Sequence, residues 1–270
     1  MNRKTLKVEG HRGAITTAHE NTLEAFLEAD RLKIDGIEFD LWLTKDRVPI
    51  ISHGKTAEGL EVMMSTVTNR LEYIFLPHIN SADLKNYVYP NTHCKIPTFE
   101  EMLIALKDSA MYLNVELKDY SPELVEQILL IIKTVKPSVK VTFSSFNLKL
   151  RPIIDQLCSK HGMPRYPFGY LVHQENDFPN IEELAKEIIP GEDSLNIDIQ
   201  FVFMNNKFAR DYIAKVSALG LHIKAYNLMV TTELEDTPLF DALIEYGVET
   251  FIGNRVEKLM DYNRKIAESK

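Results

Sequence analysis

Cysteine is nearly absent from this chain. Cys94 and Cys158 are the two among 270 residues and lie far apart, which excludes a disulfide scaffold and a paired-cysteine zinc site and leaves two ordinary reduced thiols. Positive charge is also in deficit: 31 Lys and Arg against 39 Asp and Glu give a net charge of -8. That balance argues against a nucleic-acid footprint and against simple attraction to anionic lipid, so an anionic substrate needs a locally positive site. No apolar run approaches the ~20 residues of a membrane span. The first strand candidate begins about six residues after Met1, too close for a signal peptide, and the expectation is a soluble cytoplasmic protein with no transmembrane segment. No fixed-period repeat and no low-complexity segment interrupts the chain.

What is present is a regular alternation of apolar strand candidates and amphipathic stretches. YLNVELK precedes a helix from Pro122 to Val135, KVTFSSF a helix from Leu148 to His161, and PFGYLVH a shorter helical piece near Ile181. LNIDIQ, HIKAYNL and TFIG follow, with helices around Phe208 to Leu219 and Leu239 to Tyr246 and a charged helix at the C-terminus. With the Leu6–Gly10 strand and the segment from Gly36, eight parallel candidates emerge. The length suits one domain. The predicted fold is α/β, a TIM-type (β/α)8 barrel over residues 1–270, with a hairpin after the second strand and a small insertion at about 54–96.

Chemistry concentrates where barrel strands should end. GIEFDLWLTKDRVPIISHG places Glu38 and Asp40 two residues apart on an otherwise apolar strand, so both carboxylates share a face, where ionised groups are costly unless paired or bound to a cation. A loop of Thr44, Lys45, Asp46 and Arg47 returns the chain antiparallel, and symmetric pairing about it sets His53 opposite Glu38. One histidine and two carboxylates converge, a metal-site signature. His11-Arg12-Gly13 follows the first strand, a helix start is expected at Glu20-Asn21-Thr22, and Asn114, Glu116 and Lys118 share one face of a third strand. Glu20 and Asn21 are read as capping residues that support the site. His78, His93, His161 and His222 have no partner spacing, and His19 lies beside the first loop. In the insertion, LEYIFLP at 71–77 with Met63, Met64 and Tyr87 is expected to pack on the barrel rim, a lid being the other option.

These motifs resemble the glycerophosphodiester phosphodiesterase family: HRG at 11–13, ENT at 20–22, the Glu38-x-Asp40 hairpin ending at His53, IPTFEEML at 96–103, NVELK at 114–118 and SSF at 144–146, in the family's order. The resemblance implies an enzyme that hydrolyses glycerophosphodiesters to glycerol 3-phosphate and an alcohol, with one divalent cation, Mg2+ or Ca2+, as cofactor. Carried over by position, the metal ligands are Glu38, Asp40 and Glu116, the acid/base pair is His11 and His53, and Arg12 and Lys118 contact the phosphate. His11 as base with His53 as acid, or the reverse, both fit. The partner implied is a small glycerophosphodiester. Within hydrolases the alternative is lysophospholipase D-like or sphingomyelinase D-like action on a lipid, and outside them a catalytically weak barrel that binds glycerophosphodiesters.

The chain departs from the family pattern at His19, at His53-Gly54, at Tyr226-Asn227-Leu228-Met229 and at Gly253-Asn254-Arg255. Tyr226 thereby becomes a possible pocket wall, with Met229 and Asn254 beside it. The chemistry suits the residues named. Oxygen ligands favour a hard cation, imidazoles titrate near neutrality and can give or take a proton, and a guanidinium and an ammonium meet the charge of a phosphodiester.

Overall fold

The computed structural model describes residues 4–227 and 234–269. Strands β1 (Lys7–His11), β2 (Gly36–Leu43), β3 (Pro49–Ile51), β4 (Leu60–Ser65), β5 (Leu71–Phe75), β6 (Tyr87–Val88), β7 (Tyr112–Leu117), β8 (Lys140–Ser145), β9 (Phe168–Val172), β10 (Ser194–Asp198), β11 (His222–Tyr226) and β12 (Thr250–Gly253) alternate with helices. The helices are α1 (Leu23–Leu32), α2 (Phe99–Ala105), α3 (Pro122–Val135), α4 (Leu150–His161), α5 (Ile181–Glu187), α6 (Gln200–Phe203), α7 (Lys207–Ala218), α8 (Thr237–Tyr246) and α9 (Val256–Glu268).

The main sheet runs β1-β12-β11-β10-β9-β8-β7-β2-β3, and β1 also pairs with β2. That pairing closes eight parallel strands into a barrel and leaves β3 outside the ring. The expected (β/α)8 architecture is therefore what the chain forms. Alternation along the strands explains the layers. Ile37, Phe39 and Leu41 of β2 and Leu113, Val115 and Leu117 of β7 point outward, fully buried against the helices, in one continuous apolar core. Helix starts are set by side-chain caps: Thr22 accepts from Ala25 N, Ser121 from Leu124 N, and Thr98 forms a capping box with Glu101. No helix among the described residues is long and apolar enough to cross a membrane.

Much of the interior of the ring is polar, unlike the branched aliphatic filling usual in such barrels, with Leu171, Tyr226 and Ile252 as a small apolar cluster. Glu9 is fully buried and accepts from Lys224 Nζ at 2.7 Å, Asn114 Nδ2 at 2.7 Å and Tyr112 Oη at 2.5 Å. Gly36 makes room for this arrangement, because a Cβ there would stand 2.5 Å from the Tyr112 ring.

The hairpin corrects the predicted register. The pairs are Leu41 with Ile51, Trp42 with Ile50 and Leu43 with Pro49, and the ladder ends before His53. His53 therefore does not stand opposite Glu38. The cause is a tighter loop: Thr44 N donates to Val48 O at 3.1 Å, Thr44 Oγ1 accepts from Val48 N at 2.9 Å, and Arg47 is left-handed at φ 66°. Thr44 thus pairs with Val48 around a three-residue turn, shifting the register by one.

Residues 60–88 carry a separate three-stranded sheet, ordered β5-β4-β6. Met63 and Ile74 face the barrel and join Trp42, Ile50, Leu76, Leu84 and Tyr89 in a second apolar cluster, as expected of rim packing. Leu71, Tyr73 and Phe75 do not; they are exposed.

Candidate active site

The C-terminal ends of β1, β2 and β7 bring the predicted acidic residues together. One oxygen each of Glu38, Asp40 and Glu116 lies within 4.8 Å of the others, and all three residues are buried. The register makes this unavoidable: His11 aligns with Glu38, Glu38 with Asn114, and Asp40 with Glu116. Inward-facing residues on neighbouring parallel strands stack at one level.

The loop after β1 is shaped around this cluster. Arg12 takes a left-handed backbone (φ 59°), and its N–H donates to Glu38 Oε2 at 3.2 Å. Gly10 permits the fold-back, since a Cβ there would stand 2.7 Å from the Gly13 carbonyl oxygen. The Arg12 side chain donates through Nη1 to both oxygens of Glu20 at 3.0 Å, and its Nε lies 3.4 Å from Asp40 Oδ2. Glu20 and Asn21 are not the helix cap, which is Thr22. Instead Glu20 clamps Arg12, and Asn21, itself left-handed at φ 56°, donates through Nδ2 to Asp40 Oδ2 at 2.8 Å. Lys118 Nζ lies 2.5 Å from Glu116 Oε1 and 3.2 Å from Asp40 Oδ1.

Two cations therefore face three acids, and the acids respond unequally. Burial pushes the Glu38 carboxyl well above its ordinary value, and repulsion from Asp40 and Glu116 adds to the shift. Glu116 is raised by burial and by Asp40, although Lys118 opposes the shift. At Asp40 burial acts in the same direction, but Lys118 and Arg12 outweigh it and hold the carboxyl well below the usual range. Burial would lower the Lys118 ammonium, yet Glu116 and Asp40 raise it.

A divalent cation fits this donor set. The ligands are hard oxygens, they converge, their repulsion is only partly neutralised, and Glu38 Oε1 is buried with no hydrogen-bond partner among the described residues. A bound dication would remove the strain that raises Glu38 and Glu116.

His11 lies beside the acids, its Nε2 3.9 Å from Glu38 Oε2. Burial, reinforced by Arg12, lowers its pKa to about 3, against the Asn254 hydrogen bond and the Asp40 and Glu20 charges. Its Nδ1 is 2.8 Å from Asn254 Oδ1. The amide orientation is fixed by Glu235, a buried carboxylate that can only accept: Oε1 takes Asn254 Nδ2 at 3.0 Å, Asn254 N at 3.1 Å and Asn227 Nδ2 at 2.9 Å, and Oε2 takes Arg255 N at 2.8 Å. Asn254 Oδ1 must then face the ring, so Nδ1 carries the proton and Nε2 presents its lone pair to the site. His53 is half-buried; burial lowers its pKa, Asp40 opposes the shift, and Arg12 and Lys118 add to it. It lines a hollow of about 340 Å³ with Trp42, Lys55, Lys118 and Tyr120. A larger cleft of about 640 Å³ opens among Lys7, Lys140, Lys224 and Thr250 at the opposite end of the ring, away from the acids.

Tyr226 is buried, with its hydroxyl donating to Val172 O at 2.9 Å and its ring edge-on to Phe146 at 6.1 Å. Leu228 and Met229 lie outside the described residues. His19 stacks on Tyr89 at 3.8 Å and braces the loop before α1. Sequence reasoning passed over His173, whose Nδ1 lies 2.9 Å from Asp198 Oδ2. Its position just after β9, on the inward alternation, was the available signal. It also missed Glu235, for which one sequence offers none.

Known proteins share this architecture. The chain is 30% identical over 151 residues to a glycerophosphodiester phosphodiesterase of Caldanaerobacter subterraneus subsp. tengcongensis, a match covering 53% of this chain and 59% of that protein. The crystal structure of a Thermotoga maritima glycerophosphodiester phosphodiesterase superposes with a TM-score of 0.69 at 25% identity, covering 96% of this chain and 99% of that one. An Oleispira antarctica phosphodiesterase solved with its product sn-glycerol-3-phosphate shares the fold, with a TM-score of 0.72 at 20% identity over 95% of this chain and 96% of that one. The glycerophosphoryl diester phosphodiesterase family model matches residues 11–258, and the chain belongs to that family.

Proposed function

We propose that the chain is a divalent-cation-dependent hydrolase of glycerophosphodiesters, releasing glycerol 3-phosphate and an alcohol from a single barrel domain with an insertion at about 54–96. The observation that carries this reading is the convergence of Glu38, Asp40 and Glu116 within 4.8 Å at the mouth of the ring, beside His11. Family membership and the product seen in the Oleispira antarctica protein agree with it. Two unpaired thiols suit a reducing compartment such as the cytoplasm.

Glu38, Asp40 and Glu116 would hold the cation, and Mg2+ and Ca2+ both match their oxygens. Bound there, it would supply positive charge to the phosphoryl oxygens and to the attacking hydroxyl. Lys118 and Arg12 add fixed charge beside the phosphate, Arg12 as a planar fork steadied by Glu20. His11 stays neutral at physiological pH and presents Nε2, the form a general base requires, so it accepts the proton of the substrate's 2-hydroxyl as that oxygen bonds to phosphorus and the P–O bond to the alcohol breaks, leaving a cyclic phosphate that water then opens to glycerol 3-phosphate. His53, lining the hollow with Trp42 and Tyr120, takes up a proton as the anionic phosphodiester binds beside it and opposes the lowering by burial, and delivers that proton to the departing alcohol. The phosphate charge met by Arg12, Lys118 and the cation is common to every substrate of the class, so leaving alcohols should be discriminated loosely.

The test is turnover of glycerophosphocholine with Mg2+ or Ca2+ against EDTA, in the wild type and in His11→Ala and His53→Ala. Each substitution should lower kcat by roughly 10² to 10⁴. A leaving group of low pKa should rescue His53→Ala far more than His11→Ala; equal rescue contradicts the division of labour. Full activity in EDTA removes the cation from the reading.

A further inference from the structure

The small sheet of residues 60–88 has two unlike faces. Glu61, Met63, Ser65 and Ile74 point toward the barrel and are buried. On the outer face the register sets Leu60, Val62 and Met64 of β4 beside Phe75, Tyr73 and Leu71 of β5, and Val88 of β6 beside Met64. Every one of these seven residues is apolar or aromatic, and none packs against a core cluster of the protein. Tyr73 is 73% exposed, Leu71 56% and Phe75 43%, and Val67 in the adjoining turn is 73% exposed.

An antiparallel sheet with one face in water normally alternates apolar and polar residues. Here the outward positions of both long strands break that rule completely, in a chain whose other strands keep their apolar faces covered. Leu60, Val62, Met64 and Val88 are half-buried, and weighting about 150–250 Å² for an aromatic side chain and less for an aliphatic one by these exposures, the face together with Val67 offers roughly 500–600 Å² of apolar surface. That is at the upper limit of what monomers leave bare, about 300–600 Å².

We propose that this face is the docking surface for a second copy of the chain, the two small sheets packing face to face about a two-fold axis. Two features favour a second copy over a lipid surface. A stable two-chain interface needs about 800 Å² from each partner, of which about 65% is apolar in homodimers, so the patch supplies the apolar share that a self-complementary contact requires. The patch also contains no charged residue, and the chain carries a net charge of -8, so nothing draws it to an anionic bilayer and no unpaired charge is buried when two copies meet. A two-fold contact joins the same patch on both copies, so the face need fit only its own image. None of the candidate active-site residues belongs to this face.

Light scattering on the eluting full chain, and sedimentation equilibrium over a range of concentrations, should give twice the chain mass at about 50 µM, where contacts of this size are populated. Tyr73→Asp and Leu71→Asp should each raise the dimer dissociation constant at least roughly a hundredfold, the effect of disrupting the centre of an interface. Both positions are exposed in one copy, so the melting temperature extrapolated to low concentration and the turnover of glycerophosphocholine should stay at wild-type values. Leu130→Asp, on an exposed part of α3, should leave the dimer intact. A wild type that stays monomeric throughout, or a dimer that survives both sheet variants, overturns the proposal. So does a monomer that sediments with phosphatidylcholine–phosphatidylglycerol vesicles and loses that binding in Tyr73→Asp, which would assign the face to lipid.

Discussion

Replacing Glu38 with glutamine should stabilise the metal-free protein, the reverse of what removing a buried charged group usually does. Glu38 faces Asp40 and Glu116 within 4.8 Å, and at an effective dielectric of about 20 each such repulsion is worth about 3.5 kcal/mol. Burial makes the charge costly and this repulsion adds to it, with Arg12 and Lys118 offsetting only part, which is why the Glu38 carboxyl titrates well above its ordinary 4.5. A carboxyl raised in the folded state favours folding most at low pH, where it is protonated. Its contribution declines as pH climbs from about 4.5 toward the folded value and then stays lost. Glutamine mimics the protonated form and still accepts from Arg12 N, so Glu38→Gln should gain about 1–3 kcal/mol at pH 7.5 in EDTA. For a chain of this size that is a rise of roughly 2–6 °C in Tm. With Mg2+ or Ca2+ the order should invert: at 100 times Kd a bound cation adds about 2.7 kcal/mol to the wild type, and the variant, one ligand short, gains far less. Differential scanning calorimetry in EDTA and in each cation separates the cases. A variant that melts below the wild type in EDTA, or that keeps the full cation-induced shift, would refute the electrostatic account of the cluster.

Asn254→Ala should lower kcat by roughly 10- to 100-fold with little change in KM, because it frees the His11 ring to turn, and Asn254→Asp should not recover the loss, because its carboxylate would meet the acceptor-only Glu235 where the amide donated; wild-type kcat in Asn254→Ala would show that the amide merely fills space. Arg151 is fully buried, with Asp193 3.4 Å away and Tyr166 O accepting at 2.8 Å. Arg151→Ala should therefore cost about 3–5 kcal/mol in urea unfolding by stranding the Asp193 carboxylate, and Arg151→Ala with Asp193→Asn should recover part of that, an outcome additive losses would contradict.

The barrel was legible because each inward strand face alternates with an outward apolar one, and that period survives in the sequence of β2, β7 and β10 without knowledge of their neighbours. The convergence of Glu38, Asp40 and Glu116 was legible for the same reason, since parallel strands of a closed ring bring residues at equal height together. The hairpin register was not, because it turns on a side chain: Thr44 Oγ1 closes the loop one residue earlier than symmetry suggests. The clamp of Glu235 on Asn254, and of Asn254 on His11, joins positions up to 243 residues apart, and a single sequence records no such pairing. Arg12 was expected at the phosphate. Its backbone and side chain are both engaged with acids of the chain, which ties its placement to Glu20 as much as to any ligand.

The polar filling of the ring bears on how the strands find their alignment. Parallel strands in a closed barrel can slide by two residues and still present apolar faces to the helices, so hydrophobic burial alone discriminates poorly among neighbouring shears. Glu9 on β1 reaches across to Lys224 on β11 and to Asn114 and Tyr112 on β7. A two-residue slip of β1, β7 or β11 would carry one of these groups about 6.6 Å along the barrel axis and leave an ionised carboxylate or ammonium buried without its partner. The wrong closures are thereby penalised far more than the right one is rewarded. Glu9 thus acts as a gauge of register, checking from inside the ring that three strands, contributed by the beginning, middle and end of the chain, have assembled at the height at which Glu38, Asp40 and Glu116 meet.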